Sequence, residues 1–196
     1  MMTLPNKLTV IRGVLGLATF GCLFTQEPAG YAVALVLYVA ATITDWVDGY
    51  IARRTHSASP FGAMADPIAD KVLVLGALIA CTRIRWLQVP VWAVFLIIVR
   101  ELVIGGLRAL AGAQGRLLAA ERWGKWKMGI QSGSVIAILL LLVWADTLHG
   151  RVPESARLLP WLLTLLSMAV TVASGVLYLL QNRRLLESSW SAPRRP

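Results

Sequence analysis

The sequence predicts an all-α integral membrane protein with six transmembrane helices and both termini in the cytoplasm. The 196 residues are 57% hydrophobic, and a mean hydropathy of +0.67 is too high for a soluble domain of this length. Six apolar segments each approach the roughly 20 residues that an α-helix needs to cross a bilayer. Lysine and arginine residues are concentrated at alternate ends of these segments, which predicts how the chain is oriented.

The six apolar segments follow one another along nearly the whole chain. They cover residues 8–25, 29–54, 67–83, 88–112, 126–146 and 158–181. Arg12 lies within the first segment and no small-x-small cleavage site follows it, so we expect this segment to be retained rather than removed as a signal peptide. We expect one membrane domain over residues 1–186 and a basic, disordered tail over residues 187–196, which are rich in Ser, Pro and Arg.

The distribution of basic residues predicts which ends of the segments face the cytoplasm. If the N-terminus is cytoplasmic, twelve Lys and Arg residues flank the segments on the inside and four on the outside. The outer four are Arg83, Arg85, Arg151 and Arg157. This bias favours two cytoplasmic termini, and the formal net charge of +9 favours contact with anionic lipid headgroups. The sequence does not contain a separate basic domain with interleaved aromatic residues, so it does not predict nucleic-acid binding.

Cysteine and histidine usage gives no indication of a zinc site. Cys22 and Cys81 both lie in apolar segments, where we expect two buried, unpaired side chains. A disulfide between them remains the alternative, because both can lie toward the same face of the membrane. His56 and His149 are isolated in connecting segments. Carboxylates are therefore the main candidate ligands for a metal ion.

Four of the ten acidic residues cluster at the junction of the second and third segments. They are Asp45, Asp48, Asp66 and Asp70. On a helix that advances by about 100° per residue, the first two share one face and the last two share another. Two such helix ends would present four carboxylates, whose mutual repulsion a hard divalent cation would relieve. The alternative is a set of structural ion pairs with the neighbouring basic residues, which are Arg53, Arg54 and Lys71.

The spacing of this region carries more information than its charge. From Asp45 to Asp70 it reads D-x2-D-G-x2-A-R-x8-G-x3-D-x3-D. Pro67 directly after Asp66 predicts that the third helix starts there, with Pro60 in a preceding turn. At every defining position the region is similar to the pattern of the CDP-alcohol phosphotransferase family. Eight fixed residues at fixed spacing make this resemblance specific, and it extends over most of the chain.

The resemblance implies a six-helix membrane bundle, usually a homodimer, in the bacterial cytoplasmic membrane with its active site facing the cytoplasm. The family transfers the phosphatidyl group of CDP-diacylglycerol to an alcohol and releases CMP, which implies two Mg²⁺ or Mn²⁺ ions. By this resemblance the metal ligands are Asp45, Asp48, Asp66 and Asp70, with Asp70 also the catalytic base. The residues implied for CDP-lipid binding are Asn6, Gly49, Arg53, Ser59 and Gly62.

Two further segments resemble the branch of this family that makes phosphatidylglycerophosphate. Residues 5–12 resemble its P-N-x-L-T-x-x-R opening, and residues 124–131 resemble its G-K-W-K-T-x-x-Q segment, with Met128 in place of the Thr. The implied acceptor is glycerol 3-phosphate. The basic residues expected to bind its phosphate are Arg12, Arg100, Arg108, Lys125 and Lys127.

The alternatives to this assignment are a structural role for the basic residues, a different acceptor, or a different class of membrane protein. Glu101 and an arginine can form a purely structural pair in the fourth segment, and the Lys and Trp residues near position 125 can anchor the fifth segment at the interface. The same chemistry can use inositol phosphate or phosphatidylglycerol as acceptor. A small ion-coupled transporter would explain the intramembrane carboxylates but not their spacing, and an inactive assembly factor would not need them.

Overall fold

The computed structural model describes residues 4–55, 60–113, 124–147 and 153–183, and within these residues every regular element is a helix. The long helices are α1 (Leu4–Phe24), α2 (Pro28–Thr55), α3 (Pro60–Thr82), α4 (Val91–Ala113), α5 (Gly124–Thr147) and, after a short α6 (Glu154–Arg157), α7 (Leu159–Gln181). A 3₁₀ helix over Arg85–Leu87 precedes α4. The predicted all-α fold class is confirmed, while the tail over 187–196 lies outside the described residues.

Four of the described helices are long and apolar enough to cross a membrane. These spans are Asn6–Phe24, Pro28–Asp45, Trp126–Thr147 and Leu159–Gln181. Helices α3 and α4 differ from them in charge rather than in length, since each has 23 residues. Their interiors carry Asp66, Asp70 and Lys71 in α3 and Arg100, Glu101 and Arg108 in α4. Each of these two helices therefore carries three charged residues within its length, and all six belong to or neighbour the predicted site.

Helix α1 packs extensively against both α2 and α3, while α5 packs against α2 and α7, and α4 packs mainly against α7. The α1–α3 contact is very close at Gly16. A Cβ atom on Gly16 would lie 3.0 Å from the backbone Cα and N of Leu73. The missing side chain therefore lets the two backbones approach each other, as small residues do between membrane helices.

The distribution of side chains is that of a membrane bundle, with apolar groups on the outside and several charged groups inside. Exposed apolar residues lie on several helices, among them Val14, Leu17, Phe95, Leu102 and Leu180. The interior contains an apolar core, which includes Leu23, Tyr38, Leu78, Ile97 and Leu139. It also contains the buried charged side chains of Arg12, Arg100, Glu101 and Lys127. Buried ions are costly unless they are paired, so their partners mark the polar centre of the molecule.

The prediction that the third helix starts at Pro67 is wrong. Helix α3 begins at Pro60, and Pro67 lies inside it. Proline is well tolerated in the first turn, because the N–H that it lacks would have no intrahelical partner there. Pro67 removes one backbone hydrogen bond from the helix, and its ring is exposed. As a result Asp66 and Asp70 lie one turn apart on a continuous helix instead of at its cap.

Both cysteines are free, as expected from their positions in apolar segments. Cys81 is fully buried at 1% exposure and Cys22 is half-buried. The disulfide alternative is therefore excluded in this structure.

Candidate active site

Two polar residues of α1, one turn apart, connect the predicted aspartates of α2 and α3. The guanidinium of Arg12 lies 2.6 Å from the carboxylate of Asp45. The hydroxyl of Thr9 donates a hydrogen bond to the carboxylate of Asp66. Arg12 and Thr9 are both buried, so α1 holds the two carboxylates from inside the bundle.

Asp70 lies one helical turn after Asp66 and is half-buried. The charged groups that act on it electrostatically come from four other helices. They are Asp45 of α2, Arg12 of α1, Lys127 of α5 and Glu101 of α4. Asp70 therefore lies between the aspartate cluster and a second group of charges, while Asp66 itself is exposed.

The second group of charges surrounds Glu101, which is buried in α4. The ammonium group of Lys127 forms an ion pair with the Glu101 carboxylate. The guanidinium of Arg100 lies 3.3 Å from the same carboxylate, and the ammonium group of Lys71 donates to the Glu101 backbone carbonyl at 3.1 Å. We call these four residues the Glu101 cluster. It brings three basic side chains from α3, α4 and α5 together around one carboxylate.

Helix α7 closes the Glu101 cluster from the other side. Arg100 donates a hydrogen bond to the Ser174 hydroxyl at 3.0 Å. Its aliphatic stem lies against Gly175, where an added Cβ would come within 2.7 Å of the Arg100 Cγ. Glycine is therefore required at this position if Arg100 is to stay extended toward Glu101.

The predicted phosphate-binding residues separate into distinct places. Arg12 lies among the aspartates, and Arg100 and Lys127 lie in the Glu101 cluster. The exposed Arg108 has its guanidinium 5.6 Å from the ring centroid of Tyr178. The Glu101–Arg pair left open as a structural alternative is present with Arg100. The ion pair between Glu101 and Lys127 was not predicted.

Several predicted site residues fall wholly or partly outside what the structure describes. The backbones of Asp48, Gly49 and Arg53 belong to α2 and that of Lys125 to α5, but their side chains lie outside the description, as does all of Ser59. Asn6 is buried in the first turn of α1 and Gly62 is buried near the start of α3. The two predicted CDP-lipid positions whose burial the structure describes are thus at the beginnings of α1 and α3.

A divalent cation is chemically compatible with the aspartates. Asp45, Asp66 and Asp70 offer carboxylate oxygens, the ligands that Mg²⁺ and Mn²⁺ prefer. Among the side chains that the structure describes, no three His, Cys, Asp or Glu residues lie close enough together to hold an ion. The fourth carboxylate of the predicted set, that of Asp48, is not among those side chains.

Helix α7 contributes a polar face that the sequence analysis missed. Thr164, Ser167, Thr171 and Ser174 recur every three or four residues and are all buried. The hydroxyl of Ser167 donates to that of Ser134 on α5 at 3.0 Å. The spacing of hydroxyl residues along residues 164–174 is the signal that could have identified this face.

The groups described above lie on six helices, and the similarity to known proteins extends over nearly all of their length. The chain matches the CDP-alcohol phosphatidyltransferase family over residues 2–177. The chain belongs to this family. The matched region includes α1, the two helices α2 and α3 that carry the aspartates, and the Glu101 cluster, so the family assignment made from the motif is confirmed. Members of the family generally depend on divalent metal ions.

Three relatives within the CDP-alcohol phosphatidyltransferase family illustrate the similarity. A CDP-diacylglycerol–glycerol-3-phosphate 3-phosphatidyltransferase of Cereibacter sphaeroides is 40% identical over 154 residues, which cover 76% of this chain and 67% of the relative. A Bacillus subtilis protein of the same name is 38% identical over 152 residues, covering 71% and 78%. A cardiolipin synthase (CMP-forming) of Oryza sativa is 32% identical over 158 residues, covering 74% and 47%.

Proposed function

We propose that this protein transfers the phosphatidyl group from CDP-diacylglycerol to sn-glycerol 3-phosphate, giving phosphatidylglycerophosphate and CMP in phospholipid biosynthesis. The names of the two bacterial relatives support the reaction and its two substrates. The observation that carries the proposal is the pairing of Arg12 with Asp45 and of Thr9 with Asp66. It joins the opening segment of the chain, which resembles the branch that makes phosphatidylglycerophosphate, to the aspartate motif, which resembles the pattern of the whole family.

In the proposed reaction the acceptor hydroxyl loses its proton as it attacks the phosphorus bonded to the diacylglycerol group. We assign Asp70 as the general base, because it is a half-buried carboxylate between the other aspartates and the Glu101 cluster. Arg12 and Thr9 hold Asp45 and Asp66 in fixed positions, which reduces the conformational freedom lost when substrates bind.

The donor is assigned to the aspartate side of the site. The proposed ligands of two Mg²⁺ or Mn²⁺ ions are Asp45, Asp48, Asp66 and Asp70. When bound, such ions stabilise negative charge on the attacking and leaving oxygens. The proposed CDP-lipid contacts are Asn6, Gly49, Arg53, Ser59 and Gly62. The acyl chains would remain among the apolar helix faces and the surrounding lipid, so the donor need not leave the membrane.

The acceptor phosphate is assigned to the Glu101 cluster and its surroundings. A phosphate monoester carries roughly −1.5 to −2 charges at pH 7, and a donor diphosphate nearby would repel it. Within the cluster three cations, Lys71, Arg100 and Lys127, surround the single carboxylate of Glu101. This excess of positive charge next to Asp70 supports a phosphate at that position. Arg12, Arg108 and Lys125 complete the proposed set.

The proposed enzyme spans the bacterial cytoplasmic membrane six times, with both termini and the active site on the cytoplasmic side, and acts as a homodimer. The six long helices and the bias in Lys and Arg residues support this topology. Helices α3 and α4 would cross the membrane with their charged residues facing the bundle interior, as the contacts of Glu101, Arg100 and Lys71 indicate.

A second candidate acceptor is phosphatidylglycerol, as in cardiolipin synthesis, and the similarity to the rice cardiolipin synthase favours it. Purified protein incubated with CDP-diacylglycerol and a panel of alcohols distinguishes the two candidates. We expect CMP release and a phosphatidylglycerophosphate product with glycerol 3-phosphate. If phosphatidylglycerol were the one alcohol that gave CMP release, it would be the acceptor instead of glycerol 3-phosphate. A complete lack of CMP release with all the alcohols would contradict the proposed reaction.

A further inference from the structure

A cavity of about 620 Å³ lies at the opposite end of the bundle from the aspartates. It is lined by Gln26, Tyr31, Arg83, Ile84, Arg85 and Trp86. Arg83 directly follows the last residue of α3 and comes 13 residues after Asp70. At the rise of an α-helix this separates the two residues by about 20 Å along the helix axis. The hydrocarbon core of a bilayer is about 30 Å thick. The cavity therefore lies near the membrane face opposite the proposed active site.

Two arginines provide the charge of this cavity. The guanidinium of Arg83 lies 3.9 Å from the ring centroid of Phe24, close enough for a cation–π contact that orients the side chain. Arg85 is exposed on the 3₁₀ helix. Each guanidinium is a planar fork of donors that matches a phosphate in a bidentate arrangement.

The walls of the cavity are partly apolar, and their side chains are held in place by packing and hydrogen bonding. Trp86 packs against the main apolar core, and Ile84 is buried. The hydroxyl of Tyr31 donates to the backbone carbonyl of Gln26 at 3.2 Å. Gln26 adopts a left-handed conformation with φ 58°, which ends α1 and turns the chain toward α2. Aromatic residues with one polar end are typical of the level where lipid headgroups begin.

The balance of charge favours an anionic group inside the cavity. Of the described residues that line it, two are cationic and none is acidic. The carboxylates of Glu27 and Asp146 act electrostatically on Tyr31 but do not line the cavity. We propose that this cavity binds the phosphate of a phospholipid headgroup in the leaflet opposite the aspartate site, an inference that rests on the membrane topology proposed above. The apolar walls at the ends of membrane helices favour a lipid over a free phosphate.

The test uses the full-length protein in detergent with a phosphatidylglycerol that carries a photoreactive diazirine close to its headgroup. After irradiation, peptide mapping by mass spectrometry identifies the labelled residues. We expect labelled peptides containing residues 26–31 or 83–86. This readout does not depend on CMP release, so the inference can fail while the proposed enzyme activity stands, and the reverse.

The variant Arg83→Gln/Arg85→Gln should lose labelling of these peptides by roughly tenfold or more, because hydrogen bonds between charged groups are lost. Arg157→Gln is the matched control. Arg157 is also exposed and is also predicted on the outer side of the membrane, but it does not line the cavity. Both proteins should keep the wild-type rate of CMP release. An equal loss of labelling in both variants would overturn the proposal.

Competition distinguishes the source of the phosphate. Unlabelled phosphatidylglycerol should protect residues 26–31 and 83–86, whereas inorganic phosphate at the same concentration should not. Equal protection by inorganic phosphate would show a free-phosphate site and overturn the lipid assignment. Labelling of wild-type protein only elsewhere would overturn the proposal as well, and this result does not require the double variant to fold.

Discussion

Asp70 is the residue on which the proposed chemistry depends most directly. Replacing it by Asn keeps its size and its half-buried position but removes the proton acceptor. We expect Asp70→Asn to lower kcat by about 10²–10⁴-fold, the usual contribution of a general base. Binding of CDP-diacylglycerol, measured in parallel by equilibrium titration, should change little. Turnover close to the wild-type rate would remove Asp70 from the role of base.

Arg108 offers a test of the acceptor site in a residue whose loss should leave the fold intact. It is exposed and contacts the face of Tyr178. We expect Arg108→Gln to raise the KM for glycerol 3-phosphate by roughly tenfold and to leave the KM for CDP-diacylglycerol unchanged. Lys125→Gln should have the same effect. Steady-state kinetics on folded protein, with Arg157→Gln as control, measures these changes. A normal KM for glycerol 3-phosphate in both Arg108→Gln and Lys125→Gln would reject the acceptor site.

Glu101 is expected to be essential for stability. Within the Glu101 cluster it supplies the one carboxylate, and two buried basic side chains pair with it. Glu101→Gln leaves the charges of Lys127 and Arg100 buried without that carboxylate. Breaking a buried ion pair in this way typically costs about 3–5 kcal/mol. The double variant Glu101→Gln/Lys127→Met should lose less stability than the sum of the two single variants. Thermal unfolding in detergent measures this, and additive losses would mean that the pair is not coupled.

The contact between α1 and α3 determines how Thr9 and Arg12 reach the aspartates. Gly16→Ala would force a Cβ against the Leu73 backbone, which cannot move aside as a flexible side chain can. We expect a loss of stability of about 1–3 kcal/mol together with reduced activity, because Thr9 shares α1 with Gly16 and binds Asp66.

Gly21→Ala is the matched control for this helix contact. An added Cβ on Gly21 would meet nothing within 4 Å. Alanine in a helix interior is favoured over glycine by roughly 0.5–1 kcal/mol, so Gly21→Ala should keep or slightly raise the unfolding temperature. Equal effects of the two substitutions on stability would contradict a close α1–α3 contact at Gly16.

The molecule as a whole should depend on divalent ions for both activity and stability, because the proposed ligands join α2 to α3. Removal of metal with a chelator should abolish CMP release, and added Mg²⁺ or Mn²⁺ should restore it. An ion that binds only the folded bundle also raises its stability in proportion to ln(1 + [ion]/Kd). The unfolding temperature should therefore rise with the ion concentration in wild-type protein and less in Asp66→Asn. Full turnover after thorough chelation would contradict the metal assignment.

The sequence alone determined the family and the all-α class, and it predicted the four aspartates as metal ligands. These features depend on local patterns, since the hydropathy of a segment and the spacing of Asp45, Asp48, Asp66 and Asp70 can be read without knowing how helices pack. Local patterns were weaker guides at helix ends. Pro67 locally indicates a helix start, but the helix already begins at Pro60 and tolerates a proline on its exposed side.

Only the tertiary structure decided which side chains meet. The pairing of Lys127 with Glu101, of Thr9 with Asp66, and the fit of Arg100 over Gly175 join residues far apart in the chain. Each depends on the rotation of a helix about its axis and on its displacement along its neighbour. Burial makes the pairing of charges obligatory, because an unpaired ion inside the bundle costs several kcal/mol, but packing geometry selects the partners.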